Sequence, residues 1–211
     1  MKETNIRNDF AQACCYLLAT IMIGAFVVVF KFNNIENFFV SYVQNIILDF
    51  IPIQVFVIIT YLGDLRLLLI ISTLYFAYSY YRLKRWDNAF KQLAFLAIVT
   101  LFAFFLKELF RRERPFIYSD NIVAYTDDNG FSYPSGHVSR SLGFYYIFSG
   151  RSRIMNIIAI ILSTLISLSR IVLGAHYITD LIGAIFLTLF SLKATNIALH
   201  IVNMRFKIFR T

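Results

Sequence analysis

The sequence predicts an all-α protein: a polytopic membrane helical bundle of six transmembrane helices plus an interfacial amphipathic helix. Three observations predict it. Of 211 residues, 59% are hydrophobic and only 15% are charged, against about 25% charged in soluble domains. The mean hydropathy is +0.67, and 23 Phe and 13 Tyr sit among long apolar runs. The 20 Lys and Arg flank those runs instead of gathering on one solvated surface, which excludes a nucleic-acid partner. A disordered chain and an ordinary soluble globule are excluded as well. Cys14 and Cys15 are adjacent in an apolar stretch. Neighbours cannot staple a fold and two thiols are too few for a metal knuckle, so they are read as helix-packing residues.

Residues 11–30 carry no charge and, at ~1.5 Å per residue, span a ~30 Å hydrocarbon core. The run is too long for a signal peptide and is read as a retained anchor. Residues 35–62 are interrupted by Glu36, Gln44, Asn45, Asp49, Pro52 and Gln54. They are expected to form a bent amphipathic helix lying at the interface. The second span, 64–81, ends in a Tyr-rich stretch followed by Arg82, Lys84, Arg85 and Trp86, an aromatic belt with a basic anchor. A third span covers 91–108. The segment from Arg111 to Pro134 is polar. Spans four to six cover 137–149, 154–170 and 177–193, the last interrupted only by Asp180. No linker or repeat divides the chain, so residues 1–211 are read as one integral-membrane domain.

Six spans put both termini on one side. That side holds the basic residues Lys2, Arg7, Arg82, Lys84, Arg85, Lys91, Arg151, Arg153, Lys193, Arg205, Lys207 and Arg210, against the acids Glu3, Asp9 and Asp87. The rest of the chain is nearly neutral. The positive-inside rule therefore places the termini in the cytoplasm and residues 107–137 and 169–176 outside, in the periplasm of a bacterial inner membrane.

Polar residues that lipid should exclude gather at that outer face, where charged groups are costly and functional. Lys107 and Arg114 are seven apart, on one face if the helix persists, with Pro115 ending it. Pro134-Ser135-Gly136-His137 precedes an apolar run and should open a helix, whose free N–H groups favour an anion. His176 and Asp180 are four apart, so they stack on one helix face, and the carboxylate can fix the imidazole's tautomer. Lys107, Arg114 and Arg170 supply three positive charges around two histidines, and a phosphate group is the natural guest.

Lys107-(six residues)-Arg114-Pro115, Pro134-Ser135-Gly136-His137 and Ser169-Arg170-(five residues)-His176-(three residues)-Asp180 resemble, in order and spacing, the three-part signature of the type 2 phosphatidic acid phosphatase family. This is a family of membrane lipid phosphate phosphatases whose signature is shared by vanadium haloperoxidases. The resemblance implies that His176 attacks phosphorus and forms a phosphohistidine, that Asp180 orients it, and that His137 serves as acid and then base. It implies that Lys107, Arg114, Arg170, Ser135 and the Gly136 N–H bind the non-bridging oxygens. It implies no cofactor and no metal, and no carboxylate or thiol cluster in the sequence suggests one.

Several neighbours of these clusters admit a structural reading. Arg140, one turn inside the fourth helix, fits contact with a substrate headgroup or snorkelling to the interface, and snorkelling is the preferred reading. Arg111 and Arg112 fit headgroup binding or interface anchoring equally. Glu108 and Glu113 read as local charge partners, Ser169 as a motif residue with a packing role, and His200 as a surface residue. The run from Val138 to Ser149 is twelve residues, ~18 Å as a helix. Its shortness sinks the site near headgroup level, where a lipid enters sideways with its chains in the bilayer. The expected partners are the bilayer and a lipid phosphate, with no protein partner evident. Family membership allows phosphatidic acid, phosphatidylglycerol phosphate, undecaprenyl diphosphate or lipid A. A phosphotransferase using the same phosphohistidine, or a lipid-phosphate flippase without hydrolysis, are the competing readings. Two retained histidines favour turnover over binding, and no inverted repeat supports a transporter.

Overall fold

In the computed structural model, residues 3–84, 87–150 and 152–206 are described. Lys2, Arg85, Trp86, Arg151, Lys207 and Arg210, which enter the charge-asymmetry argument and the second anchor, lie outside the described residues. The described residues form helices and no strand. In chain order these are α1 (Glu3–Val29), α2 (Asn33–Leu48), α3 (Ile53–Tyr61), α4 (Leu65–Tyr78), α5 (Asp87–Phe110), α6 (Pro115–Tyr118), α7 (Gly136–Ser149), α8 (Arg153–Val172) and α9 (Ile178–Phe206). The end of α4 widens into a π-helical turn, Ser79–Leu83.

Four helical segments are long and apolar enough to cross a membrane: Ile6–Val29, Asp87–Tyr118, Arg153–Val172 and Ile178–Arg205. α2 and α3 make a fifth if counted as one broken span, bent by 112°. The break falls at Pro52, which precedes α3 and cannot continue the ladder of α2. α4 and α7 have 14 residues each, ~21 Å of helix against ~30 Å of hydrocarbon.

The bundle is apolar on both sides of its wall. Phe95, Leu96, Val99, Leu106, Phe144 and Leu187 fill the centre between α5, α7 and α9. Met22, Val29, Leu101, Phe104, Phe105, Ile154 and Ile160 point outward and stay exposed. That pattern suits helices whose outer solvent is lipid. Cys14 and Cys15 are both free and exposed on α1.

α1 and α9 run antiparallel in close contact. Asp9 Oδ1 accepts from Lys193 Nζ at 2.7 Å at one end. At the other end Tyr133 wedges between Gly24 of α1 and Gly183 of α9, where any side chain would collide with its ring. The Tyr133 hydroxyl donates to Thr20 O at 2.5 Å. The Asp9–Lys193 pair and the polar loops of residues 111–135 and 173–177 therefore occupy opposite ends of the bundle, ~20 Å apart along α9.

Candidate active site

The three sequence clusters converge at one end of the bundle, though not by the local geometry the spacing predicts. α5 stops at Phe110, four residues before Arg114. Arg111 adopts a left-handed conformation, φ 45°, and breaks the helix without reversing the chain, since Asp87–Tyr118 still counts as one span. Pro115 opens α6 instead of closing α5. Lys107 and Arg114 thus meet across a break in the helix and not along one continuous helix face. Likewise His176 lies before α9, which begins at Ile178. Its contact with Asp180 survives because Asp180 sits in the first turn of that helix.

The Pro-Ser-Gly-His segment opens a helix as its sequence predicts. Ser135 is the N-cap of α7 and Gly136 its first residue. The Ser135 hydroxyl is fully buried and makes no hydrogen bond. It therefore does not cap its own helix and is left for another acceptor or donor. A Cβ on Gly136 would meet Arg140 Nη1 at 2.8 Å, so a side chain there would displace that guanidinium. Arg140 folds back over the start of α7, which corrects its reading as an interface snorkel. The local cause is helical: residues four apart stack toward the N-terminus.

The cations are held by backbone carbonyls of the 128–132 loop. Lys107 Nζ donates to Phe131 O and, at 3.1 Å, to Ser132 O. Arg114 Nε donates to Gly130 O at 3.0 Å and its Nη1 to Ala175 O at 3.1 Å. Arg170, 1% exposed, reaches Thr60 Oγ1 of α3 at 2.8 Å. It also pairs with Asp128, whose carboxylate lies 3.7 Å from Arg114 as well. The sequence reading missed Asp128. Nothing in its local pattern marks it, since it lies in a polar loop where acids are ordinary.

His176 Nδ1 lies 3.3 Å from Asp180 Oδ2, which also accepts from the Tyr177 N–H at 3.0 Å. The other ring nitrogen, Nε2, faces Arg114 Nη1 at 3.5 Å. Burial, then the charges of Arg114, Lys107 and Arg170, hold the imidazole well below its ordinary value near 6.5. His176 is therefore neutral at pH 7 in the free protein. The turn that delivers it needs Gly174 (φ 72°), the left-handed residue that ends α8. A Cβ there would also meet Val123 O at 2.8 Å. His137 lines a cavity of about 250 Å³ with Thr60, Tyr61, Asp64, Tyr125, Asp127, Asp128 and Arg170.

Arg112 takes neither of the roles open to it in the sequence. It is 3% exposed and donates to Asp180 Oδ1 and Thr179 Oγ1, each at 2.7 Å. It stacks on the Tyr177 ring at 3.9 Å. Arg111 stays exposed beside Glu108, 3.9 Å away. Ser169 donates to Ile166 O of its own helix at 2.7 Å, a packing role. α2 turns its polar residues inward: Glu36, Asn37 and Gln44 are buried. Gln44 holds Val123 and Val172 through its amide, with bonds of 2.9–3.0 Å.

Fold and site together define a class: a helical bundle of membrane-spanning character, with a histidine–carboxylate pair ringed by cations at one end. The chain belongs to the PAP2 superfamily, whose family model matches residues 88–205. Phosphatidylglycerophosphatase B of Bacillus subtilis is 29% identical over 136 residues, 59% of this chain. The match spans 64% of that curated relative's length. The crystal structure of a transmembrane PAP2 type phosphatidylglycerolphosphate phosphatase from Bacillus subtilis superposes with a TM-score of 0.69 at 24% identity, covering 94% of this chain and 99% of that one. Aquifex aeolicus LpxE gives 0.64 at 19% identity, covering 77% and 95%. These likenesses are of fold.

Proposed function

We propose that the protein is a phosphoric monoester or diphosphate hydrolase: a lipid phosphatase that removes a terminal phosphate from a membrane lipid without a metal ion, through a phosphohistidine. The observation that carries this is His176: its Nδ1 is held by Asp180 while its Nε2 is free of carboxylates and faces a guanidinium. Nε2 attacks phosphorus, a P–N bond forms, and the bond to the lipid oxygen breaks. Protonated His137 gives its proton to that oxygen. Neutral His137 then takes a proton from water, which attacks the phosphohistidine and releases inorganic phosphate. Lys107, Arg114, Arg170, the Ser135 hydroxyl and the Gly136 N–H bind the non-bridging oxygens. Asp180 balances the charge of the phosphorylated imidazole. In-line placement and fixed positive charge supply most of what phosphoryl transfer requires.

This reading includes six spans with cytoplasmic termini, α2 and α3 forming the interfacial element, and a periplasmic site in a bacterial inner membrane. The separation of the Asp9–Lys193 end from the His176 end supports it. Phosphatidylglycerol phosphate is the leading substrate, because the curated relative carries that activity in its name. Lipid A and undecaprenyl diphosphate follow. The test is phosphate release by purified protein in detergent with EDTA, on these three lipids and phosphatidic acid, with His176→Ala as the blank. Release that requires His176 supports the reading. Full loss in EDTA restored by Mg²⁺ overturns the metal-free mechanism. A phosphorylated acceptor with little free phosphate means a transferase. Binding of the lipids without release means a flippase.

A further inference from the structure

We infer that Glu36, on α2, is a positioning residue for the His176–Asp180 pair and acts on it through Arg112. The inference rests on the phosphohistidine reading above. Glu36 lies outside residues 88–205, the segment matched by the family model.

Asp180 is fully buried and both its oxygens are in use. Oδ2 receives the Tyr177 N–H and faces His176. Oδ1 receives Arg112. That guanidinium sets the plane of the carboxylate, and hence the direction of the lone pair offered to the imidazole. Taken alone it also neutralises Asp180 at the moment a phosphorylated imidazole needs a counter-charge. Glu36 removes that conflict. Its Oε2 accepts from Arg112 Nη2 at 2.5 Å, so one arginine is shared by two carboxylates and the triad keeps a net negative charge. Asn33 Oδ1 completes the fork, 3.0 and 3.2 Å from Arg112 Nη2 and Nε.

The second oxygen of Glu36 fixes the same element from another side. Oε1 accepts the backbone N–H of Thr179 at 2.9 Å, and the Thr179 hydroxyl lies 3.0 Å from both carboxylate oxygens. Thr179 immediately precedes Asp180 in the first turn of α9. Among the described residues, every hydrogen bond to the Glu36 carboxylate therefore comes from Arg112 or from Thr179, the residue next to Asp180. A carboxylate that only joined helices has no need of this convergence, and apolar packing would join them at less desolvation cost. Both charges are buried, Glu36 at 5% and Arg112 at 3% exposure, so the field they set up is little screened.

The test compares wild type, Glu36→Gln, Glu36→Asp, Asp180→Asn and the Asp180→Asn/Glu36→Gln double variant on phosphatidylglycerol phosphate in detergent micelles, with His176→Ala as the blank. Glu36→Gln is expected to lower kcat about 10–100-fold, the scale seen when outer partners of a catalytic group are removed, with KM changed less than about threefold. Loss of a negative charge lowers the proton affinity of His176, so the acid limb of kcat moves to lower pH. Glu36→Asp keeps the charge and is expected to retain the wild-type acid limb with an intermediate kcat. In the Asp180→Asn background, Glu36→Gln is expected to add little, because its effect passes through Asp180. Unchanged kcat in Glu36→Gln, or losses that multiply in the double variant, overturns the inference. If Glu36→Gln does not fold, Glu36→Asp decides: an acid limb displaced despite the retained charge overturns it. Wild type that releases no phosphate overturns the phosphatase reading and this inference with it. Wild type that turns over beside a fully active Glu36→Gln overturns this inference alone.

Discussion

Asp128 pairs with two of the arginines to which phosphate binding is proposed. Its carboxylate pairs with Arg170 and lies 3.7 Å from Arg114, so a bound phosphate competes with it for both guanidinium groups. Replacing Asp128 by Asn removes the competing charge and keeps the volume. Coulomb's law at an effective dielectric of 20 puts a charge pair at 3.7 Å near 4.5 kcal/mol, about 332/(20 × 3.7). Two facts reduce this. The Asp128 side chain is 26% exposed and partly screened by water, and both arginines keep other acceptors in Gly130, Ala175 and Thr60. A charge-assisted hydrogen bond nets about 1.5–3 kcal/mol. The lower half of that range, about 1.5–2 kcal/mol, corresponds to a gain of roughly 10–30-fold in phosphate affinity. The assay is competitive inhibition by inorganic phosphate, wild type against Asp128→Asn, at fixed ionic strength. Expected is an inhibition constant at least about tenfold lower in the variant, by the same arithmetic. An unchanged or higher constant refutes the competition and shows that Asp128 holds the arginines in place for the phosphate instead.

Three further outcomes are expected. Arg111→Gly relieves the left-handed strain after α5 at the cost of its exposed ion pair and hydrogen bond to Glu108 and its contact over the Phe131 ring, so the variant gains up to about 1 kcal/mol, read as a higher Tm in detergent. Gly183→Val drives a side chain into the Tyr133 ring. Parting α9 from the wedge costs about 1–3 kcal/mol, visible as a lower Tm together with lost activity. The depressed His176 ties stability to pH. Below about pH 6.5 the unfolded chain takes up a proton at this site that the folded protein refuses. Stability is therefore intact above that value and falls as pH drops below it, and the His176→Ala variant shows a flatter Tm profile between about pH 7 and pH 5.

Which residues meet was legible in the sequence where chemistry forces them together. Arg114 lies 3.5 Å from His176 Nε2 and shares Asp128 with Arg170, while Lys107 holds the adjoining loop at Phe131 and Ser132. How they meet was less legible. A spacing of seven or four implies a helix face only while the helix lasts, and α5 ends before Arg114 while α9 starts after His176. The helix break at Arg111 is invisible to spacing, because it depends on a left-handed residue at a position with no glycine. Arg140 misled for a related reason. Snorkelling assumes the nearest polar phase is bulk water, whereas this arginine folds back against Gly136 at the N-terminus of its own helix.

Glu36 marks the deeper limit. An acid within a long apolar stretch is an anomaly that membrane energetics flags as functional, and the sequence displays it openly. Its partner is Arg112, 76 residues away, inside a run of four charged residues, Arg111 to Arg114. Local pattern gives no reason to separate Arg112 from Arg111. Burial does separate them: one guanidinium stays exposed beside Glu108 and the other is enclosed with two carboxylates. Long-range charge compensation is thus the information that a motif omits. A buried carboxylate such as Asp180 requires a cation, that cation requires its own balance, and the chain of requirements runs outward from the histidine until it reaches a helix that no local motif includes.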